Sequence, residues 1–251
     1  MLTVGGKRGA MTDVNRDVRV GLFSDVHGNL TALQAVAAAL EREQPLDHVV
    51  VAGDHLQGGA HPSEVWAELK KRGWALVRGN EDDALVHPDQ SADNYPTNVR
   101  DAAFSQAAWT RKWLGPEALQ DLSALPDRWR IPTPAGDLLV VHASPRSLSE
   151  RAGGVRNTLA EVTAAYSGTG AAAIAFGHYH RSFVRVTPFA LLMNVASVGL
   201  PPDNRPLANY TVVTASADGW IVEQHQVPYE WRVEEAVAQA RGLPPWQPRG
   251  G

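Results

Sequence analysis

The stretch Asp17–Asn29, DVRVGLFSDVHGN, decides how the rest of the chain is read. Its first eight residues form a short apolar run rich in β-formers, and the run stops at the polar sequence SDVHGN. A helix is expected next, over about Leu30–Glu43, where alanine is frequent and Asn29 or Thr31 can cap the first turn. A second apolar run, His48–Ala52, ends in Gly-Asp. Pro62 then opens a helix to about Arg72, in a first turn where its missing N–H costs little. A third run, Trp74–Val77, ends in RGNED. Strand, helix, strand, helix, strand is the pattern of a parallel sheet with crossover helices.

The texture then changes. From Ala84 to Arg130 the chain is polar and carries Trp109, Trp113 and Trp129, so two or three helices are expected beside the sheet as an insertion near its functional edge. After Pro134 the sequence reads as β again: a strand over Asp137–His142, a helix over Gly153–Ser167, and a strand over Ala172–Phe176 that ends in GHYH. Four more short strands follow, Phe183–Val186, Leu191–Val195, Tyr210–Thr214 and Trp220–Val227. Successive short strands of this kind suggest a second, mostly antiparallel sheet. Residues 17–240 are therefore expected to form one α/β domain, with a flexible leader at 1–16 and a Pro/Gly-rich flexible tail at 241–251.

Composition narrows the chemistry. The chain has 251 residues and no cysteine, which removes thiolate metal sites, disulfide frameworks and cysteine nucleophiles. A net charge of -4 gives no general affinity for a polyanion. No apolar stretch reaches membrane-span length, and the start lacks the apolar core of a secretory signal, so a cytoplasmic location is expected.

The polar residues sit where the apolar runs stop. Asp25 and His27 follow the first run, Asp54 the second and Asn80 the third. His142 closes a later run, and His178 with His180 closes another. Parallel strands deliver their C-terminal ends to one edge of a sheet, where ligands bind. Gly-Asp and Gly-Asn alone are ordinary turn dipeptides, and a lone histidine is more often a core residue than a ligand. The ordered series DxH, GD, GN, H, GHxH is far more specific. Seven such groups exceed what one tetrahedral ion can use, and they suit two ions about 3.5–4 Å apart with a shared carboxylate, as in phosphate-ester hydrolysis. Mixed imidazole and carboxylate donors point to manganese first, with iron, zinc, cobalt or nickel as alternatives.

These motifs, DVHGN (Asp25–Asn29), AGD (Ala52–Asp54), RGNED (Arg78–Asp82), VHASP (Val141–Pro145) and FGHYH (Phe176–His180), resemble those of the calcineurin-like metallophosphoesterases, over about Val18–Thr214. The small bacterial phosphodiesterase branch is similar in a further respect, since ASVGLPPDNRP (Ala196–Pro206) looks like its last turn. The resemblance implies a four-layer αββα fold with two packed mixed sheets. It implies that Asp25, His27 and His180 hold one metal, that Asn80, His142 and His178 hold the other, and that Asp54 bridges them together with an attacking hydroxide. The substrate would be a phosphate ester, most readily a phosphodiester, with nucleotides or nucleic acid as candidates.

One position departs from the family. Its third motif commonly continues GNH, and that histidine stabilises the transition state or protonates the leaving oxygen; here Glu81 stands in its place. His55, next to Asp54, and His61 are candidate substitute proton donors, and Arg146 is a candidate phosphate contact. The run Glu81–Asp83 otherwise reads as a solvated acidic stretch. Two other readings stand beside a phosphodiesterase. A nuclease could use Arg100, Arg111, Lys112, Arg128 and Arg130 as a local basic patch, and a catalytically weak scaffold would resemble the subunit of this fold in the retromer coat.

Overall fold

The structure is a computed structural model, and it describes residues 16–88, 95, 97–203 and 205–245. The leader, apart from Arg16, and residues 246–251 of the expected tail lie outside the described residues.

The first strand, β1 (Val18–Phe23), is followed by helix α1 (Leu30–Arg42), strand β2 (His48–Val51), helix α2 (Pro62–Arg72) and the short strand β3 (Ala75–Leu76). β1, β2 and β3 are parallel neighbours, as the alternating pattern requires. Asn29 caps α1, its side chain accepting from the Ala32 N–H, and Gly73 ends α2 in the left-handed conformation that glycine adopts freely.

Three helices come next: α3 (Asn80–Val86), α4 (Thr97–Trp113) and α5 (Pro116–Ser123). The helical stretch therefore begins at Asn80 rather than Ala84, because Gly79, Asp82 and the acidic first turn start a helix there. It ends earlier than expected too, since Arg128 opens strand β4 (Arg128–Ile131).

The second sheet has the order β4-β5-β6-β8-β7, with β5 (Leu138–Val141), β6 (Ala173–Phe176), β7 (Ser182–Val186) and β8 (Leu191–Val195). It is mixed rather than mostly antiparallel: β5, β6 and β8 run parallel, and only the edge strands β4 and β7 reverse. The last two strands, β9 (Leu207–Ser216) and β10 (Gly219–Pro228), form a hairpin that joins the first sheet beside β1, giving β10-β9-β1-β2-β3. Helix α6 covers only Leu159–Tyr166, because Thr158 and Glu161 form a reciprocal capping box that sets its start.

The two sheets face each other through Val20, Leu22 and Val50 from one side and Leu138, Val140 and Ala175 from the other. The outer face of the first sheet is covered by α1 and α2 through Leu33, Leu40 and Leu69, and that of the second by α6 through Val162 and Tyr166. This is the expected αββα order of layers.

A final helix, α7 (Trp231–Arg241), did not follow from the sequence reading. None of its residues is buried, so it has no strong apolar stripe to announce it. Polar contacts fasten it instead. Glu234 accepts from the Thr31 N–H at 2.8 Å and meets His61 Nδ1 at 2.8 Å, and Arg241 binds Glu64 and donates to the Ala60 carbonyl. Gln106 Nε2 donates to the Pro244 carbonyl at 2.7 Å, so residues 241–244 hold to the body rather than forming a loose end.

Candidate metal centre

β1, β2, β5 and β6 all end at one edge of the sandwich, and each delivers its motif there. The loops that follow turn back sharply. Asp25, His27, Asp54, His178 and His180 all have φ between 50° and 66°, and Ala196 is the one other non-glycine residue with positive φ among the described residues. Left-handed backbone at non-glycine residues costs free energy, so such a concentration marks a site that the surrounding structure holds in place. The motif glycines answer to crowding. A Cβ on Gly177 would sit on Ser24 Oγ and Asp25 Oδ2, and one on Gly79 would sit on Asp54 Oδ1.

Two overlapping groups of acceptors converge, Asp25 with His27 and His180, and Asp25 with Asp54 and His142. Asp25 and His142 are fully buried, and Asp54, Asn80 and His27 nearly so. His180 is the most open, with its side chain 23% exposed. Asn80 joins the second group, its Oδ1 3.0 Å from His142 Nε2. His178 is buried beside it, its ring 5.2 Å from that of His142 and its N–H on Asp25 Oδ2.

The backbone behind the cluster decides which way the imidazoles face. His27 Nδ1 meets the Gln57 carbonyl at 2.6 Å, His142 Nδ1 the Ala52 carbonyl at 2.7 Å, and His180 Nδ1 the Leu200 carbonyl at 2.7 Å. A carbonyl oxygen only accepts, so each Nδ1 carries a proton, and each ring in its neutral form turns its Nε2 lone pair inward. With the rings neutral, the inward contacts set acceptor against acceptor: His27 Nε2 lies 3.2 Å from His180 Nε2, His142 Nε2 lies 3.3 Å from Asp54 Oδ2, and His180 Nε2 lies 3.1 Å from buried Asp25 Oδ1.

Such a cluster demands positive charge. Burial alone would lower the His142 pKa, yet the Asp54 and Asp25 carboxylates outweigh it and push the imidazole up to about 10. His27 is raised in the same way against its burial, by Asp25 and Asp54. Burial would raise Asp25, but His180 and His27 hold it well below the usual carboxylate range. Protons and divalent cations compete for this place, and the inward lone pairs fit a cation. Divalent metal ions are thus the cofactor class that the cluster fits.

The other sequence candidates are placed differently. Glu81 is buried, but its carboxylate takes hydrogen bonds from Asn80 Nδ2, Gln57 Nε2 and the Tyr95 hydroxyl. His55 is fully buried and directs Nδ1 to Asp82 at 2.7 Å rather than to the open side of the cluster. His61 is engaged by Glu234. Arg146 lies along Glu150 and donates to the Ala164 carbonyl, which turns its guanidinium away from a phosphate contact at the cluster. Of the residues of the possible basic patch, Arg111 is turned to the Leu85 carbonyl, while Arg128 and Arg130, on a strand of the other sheet, are taken by the Pro145 carbonyl and by Asp137.

Sequence reasoning passed over Asp82. It is no solvated acid: it is fully buried, and its carboxylate accepts from the N–H groups of Asp54, His55 and Gly79, each at 2.9 Å. His55 holds its pKa down to about 2 against the opposing effect of burial. Its position three residues after Gly79 in a helix start was the available signal. Ser197 was also missed. It sits in the turn after β8, donates to the Asp25 carbonyl at 2.9 Å, and accepts from the Leu200 N–H whose carbonyl orients His180.

Comparison with known proteins agrees with this fold. A metallophosphoesterase from Sphaerobacter thermophilus is similar at 26% identity and a TM-score of 0.69, with 90% of this chain and 95% of that one covered. A hypothetical protein from Pyrococcus horikoshii shares the fold at 18% identity and a TM-score of 0.78, with 90% and 94% covered. No curated protein matches the chain in sequence. The family model of the calcineurin-like phosphoesterase superfamily domain matches residues 18–218, which span the second sheet, all of the first except β10, and every strand-end motif. The chain therefore belongs to the calcineurin-like phosphoesterase superfamily.

Proposed function

We propose that the chain hydrolyses phosphate esters, phosphodiesters in preference to alkyl monoesters, with two divalent ions, manganese first among them. The observation that carries this reading is the set of close inward contacts at His27–His180, His142–Asp54 and Asn80–His142, which with neutral rings set acceptor against acceptor and call for a cation. Asp25, His27 and His180 would hold one ion, Asn80, His142 and His178 the other, and Asp54 both. When bound, the ions would supply a water of lowered pKa and the positive charge that phosphoryl oxygens need.

The chain's own residues do the rest. The Glu81 N–H donates to Asp54 Oδ1 at 2.8 Å and leaves Oδ2 facing His142. The carbonyls of Gln57, Ala52 and Leu200 keep the histidines in the ligating tautomer. His55, His61 and Arg146 each have another partner, which supports hydrolysis without strong help from a protein acid. Esters with good leaving groups are then favoured, because an alkyl alcohol needs its oxygen protonated as it departs. The test is metal analysis together with hydrolysis of bis-p-nitrophenyl phosphate and of an alkyl monophosphate, with Mn2+ added. Turnover of the diester well above that of the alkyl ester is expected, and a chain that binds no metal would sink the proposal.

A further inference from the structure

Glu81 occupies the position where the sequence departs from its family, and its surroundings differ from those of a residue that meets substrate. It is 1% exposed, and its two carboxylate oxygens accept from three donors. Oε1 takes Asn80 Nδ2 at 3.2 Å, and Oε2 takes Gln57 Nε2 at 2.7 Å and the Tyr95 hydroxyl. Each donor leads to a different part of the site. Asn80 turns its Oδ1 to His142 Nε2, 3.0 Å away. Gln57 holds His27 Nδ1 on its own carbonyl at 2.6 Å. Tyr95 is buried with Ala84, Val99 and Ala103 between α3 and α4. The Glu81 N–H is itself on Asp54 Oδ1.

An amide has one accepting end and one donating end. The carboxylate at Asn80 Nδ2 therefore determines that the carbonyl end, the only end able to ligate a cation, faces His142. We infer that Glu81 is a positioning residue, which aims the Asn80 carbonyl into the metal centre and ties it through Gln57 to the loop that carries His27. The inference rests on the metal-dependent function proposed above. A histidine at this position offers one accepting nitrogen at most, so it cannot receive all three donors. The glutamate and the family's histidine are alternative solutions, one directed inward to the ligands and the other to the leaving group.

The experiment is calorimetric titration of the full chain with Mn2+ alone, with electron paramagnetic resonance to count coupled ions and circular dichroism to confirm the fold. In Glu81→Ala and Glu81→His, the weaker of the two binding steps is expected to lose about 10- to 100-fold in affinity, as outer-shell partners of metal ligands typically do. Glu81→Gln keeps one accepting oxygen and recovers part of the loss. Tyr95→Phe leaves the Asn80 contact in place and stays within about threefold of the wild type. Glu81→His is the sharpest arm, because it restores the residue common in the family and is nevertheless expected to bind the second ion worse. Glu81→Ala binding both ions like the wild type overturns the inference. So does Glu81→His keeping both ions and gaining turnover on an alkyl phosphate. If Glu81→Ala does not fold, the Gln and His variants carry the same comparison. A wild-type chain that binds no Mn2+ overturns the functional proposal and this inference together; a wild type that binds two beside an equally competent Glu81→Ala overturns this inference alone.

Discussion

The two halves of the proposed metal centre are built from similar residues and are held differently. The half with Asp25, His27 and His180 stands at the opening, with the His180 side chain 23% exposed. The half with Asn80, His142 and His178 lies deeper, with His142 fully buried and Asn80 oriented by Glu81. The outer half is set mainly by backbone carbonyls, those of Gln57 and Leu200. The inner half adds a side-chain network that runs through Glu81 to Gln57 and Tyr95. The lesson is that depth and neutrality go together. A neutral asparagine in place of another carboxylate limits the negative charge that must be buried, and its weaker ligation then relies on a neighbour to point it.

That contrast can be broken most severely where the halves meet. Asp54→Ala is expected to lose both ions and to lower kcat/KM by at least about 10^3-fold, since ligands of one centre act as a unit. Metal content and steady-state rates check this, and retention of either ion at wild-type affinity would contradict it.

Single-ligand changes separate the halves. His142→Ala and His180→Ala should each weaken one ion, and the inner variant should cost more, because it strips a ligand from a site that solvent cannot complete. A chelator time course on the wild type should show two phases, the outer ion leaving first. A single phase would mean that the halves are not distinct.

Asp82 tests the frame beneath the inner half. Its folded pKa of about 2 lies below the ordinary 3.8, so its stabilising effect is complete above about pH 4 and is lost as the pH falls towards 2. The shift corresponds to about 2 kcal/mol. Urea unfolding of Asp82→Asn should show a loss of that order at pH 7 and a flatter pH dependence between 2 and 4. An unchanged acid limb would show that the His55–Asp82 pair contributes nothing.

The smallest effect is a proton count. With its pKa at about 10, His142 keeps an extra proton at pH 8 in the metal-free chain and must lose it to ligate. Calorimetry in buffers of different ionisation enthalpy should therefore show about one proton released at the inner half, with affinity rising as pH rises. In the metal-free chain the sign is opposite. The raised pKa stabilises the fold fully below 6.5, and that contribution fades as the pH climbs through 10.

The candidate ligands were legible because each stands where an apolar run stops, and the end of a parallel strand has a known location. The first sheet's parallel core and most of the strand positions followed from the same pattern. Three things did not follow. The β9–β10 hairpin joins the first sheet because β1 has a free edge there, and no local feature of Leu207–Pro228 names that edge. Helix α7 has a weak apolar stripe, and its contacts are ion pairs and hydrogen bonds to residues more than a hundred positions away. His55 and Arg146 read as candidates by their nearness in sequence to Asp54 and His142, yet Asp82 and Glu150 claim them.

The sequence by itself thus determined the inventory of candidate donors, the absence of thiolate chemistry and the family, since these depend on residue identity at strand ends. The tertiary structure decided which acid serves which neighbour. Glu81 and Asp82 are adjacent and both buried, yet one aims Asn80 while the other holds the backbone of Asp54 and His55. Successive residues at a helix start point in different directions, and only the packing of α3 between the strand ends and α4 settles what each one meets.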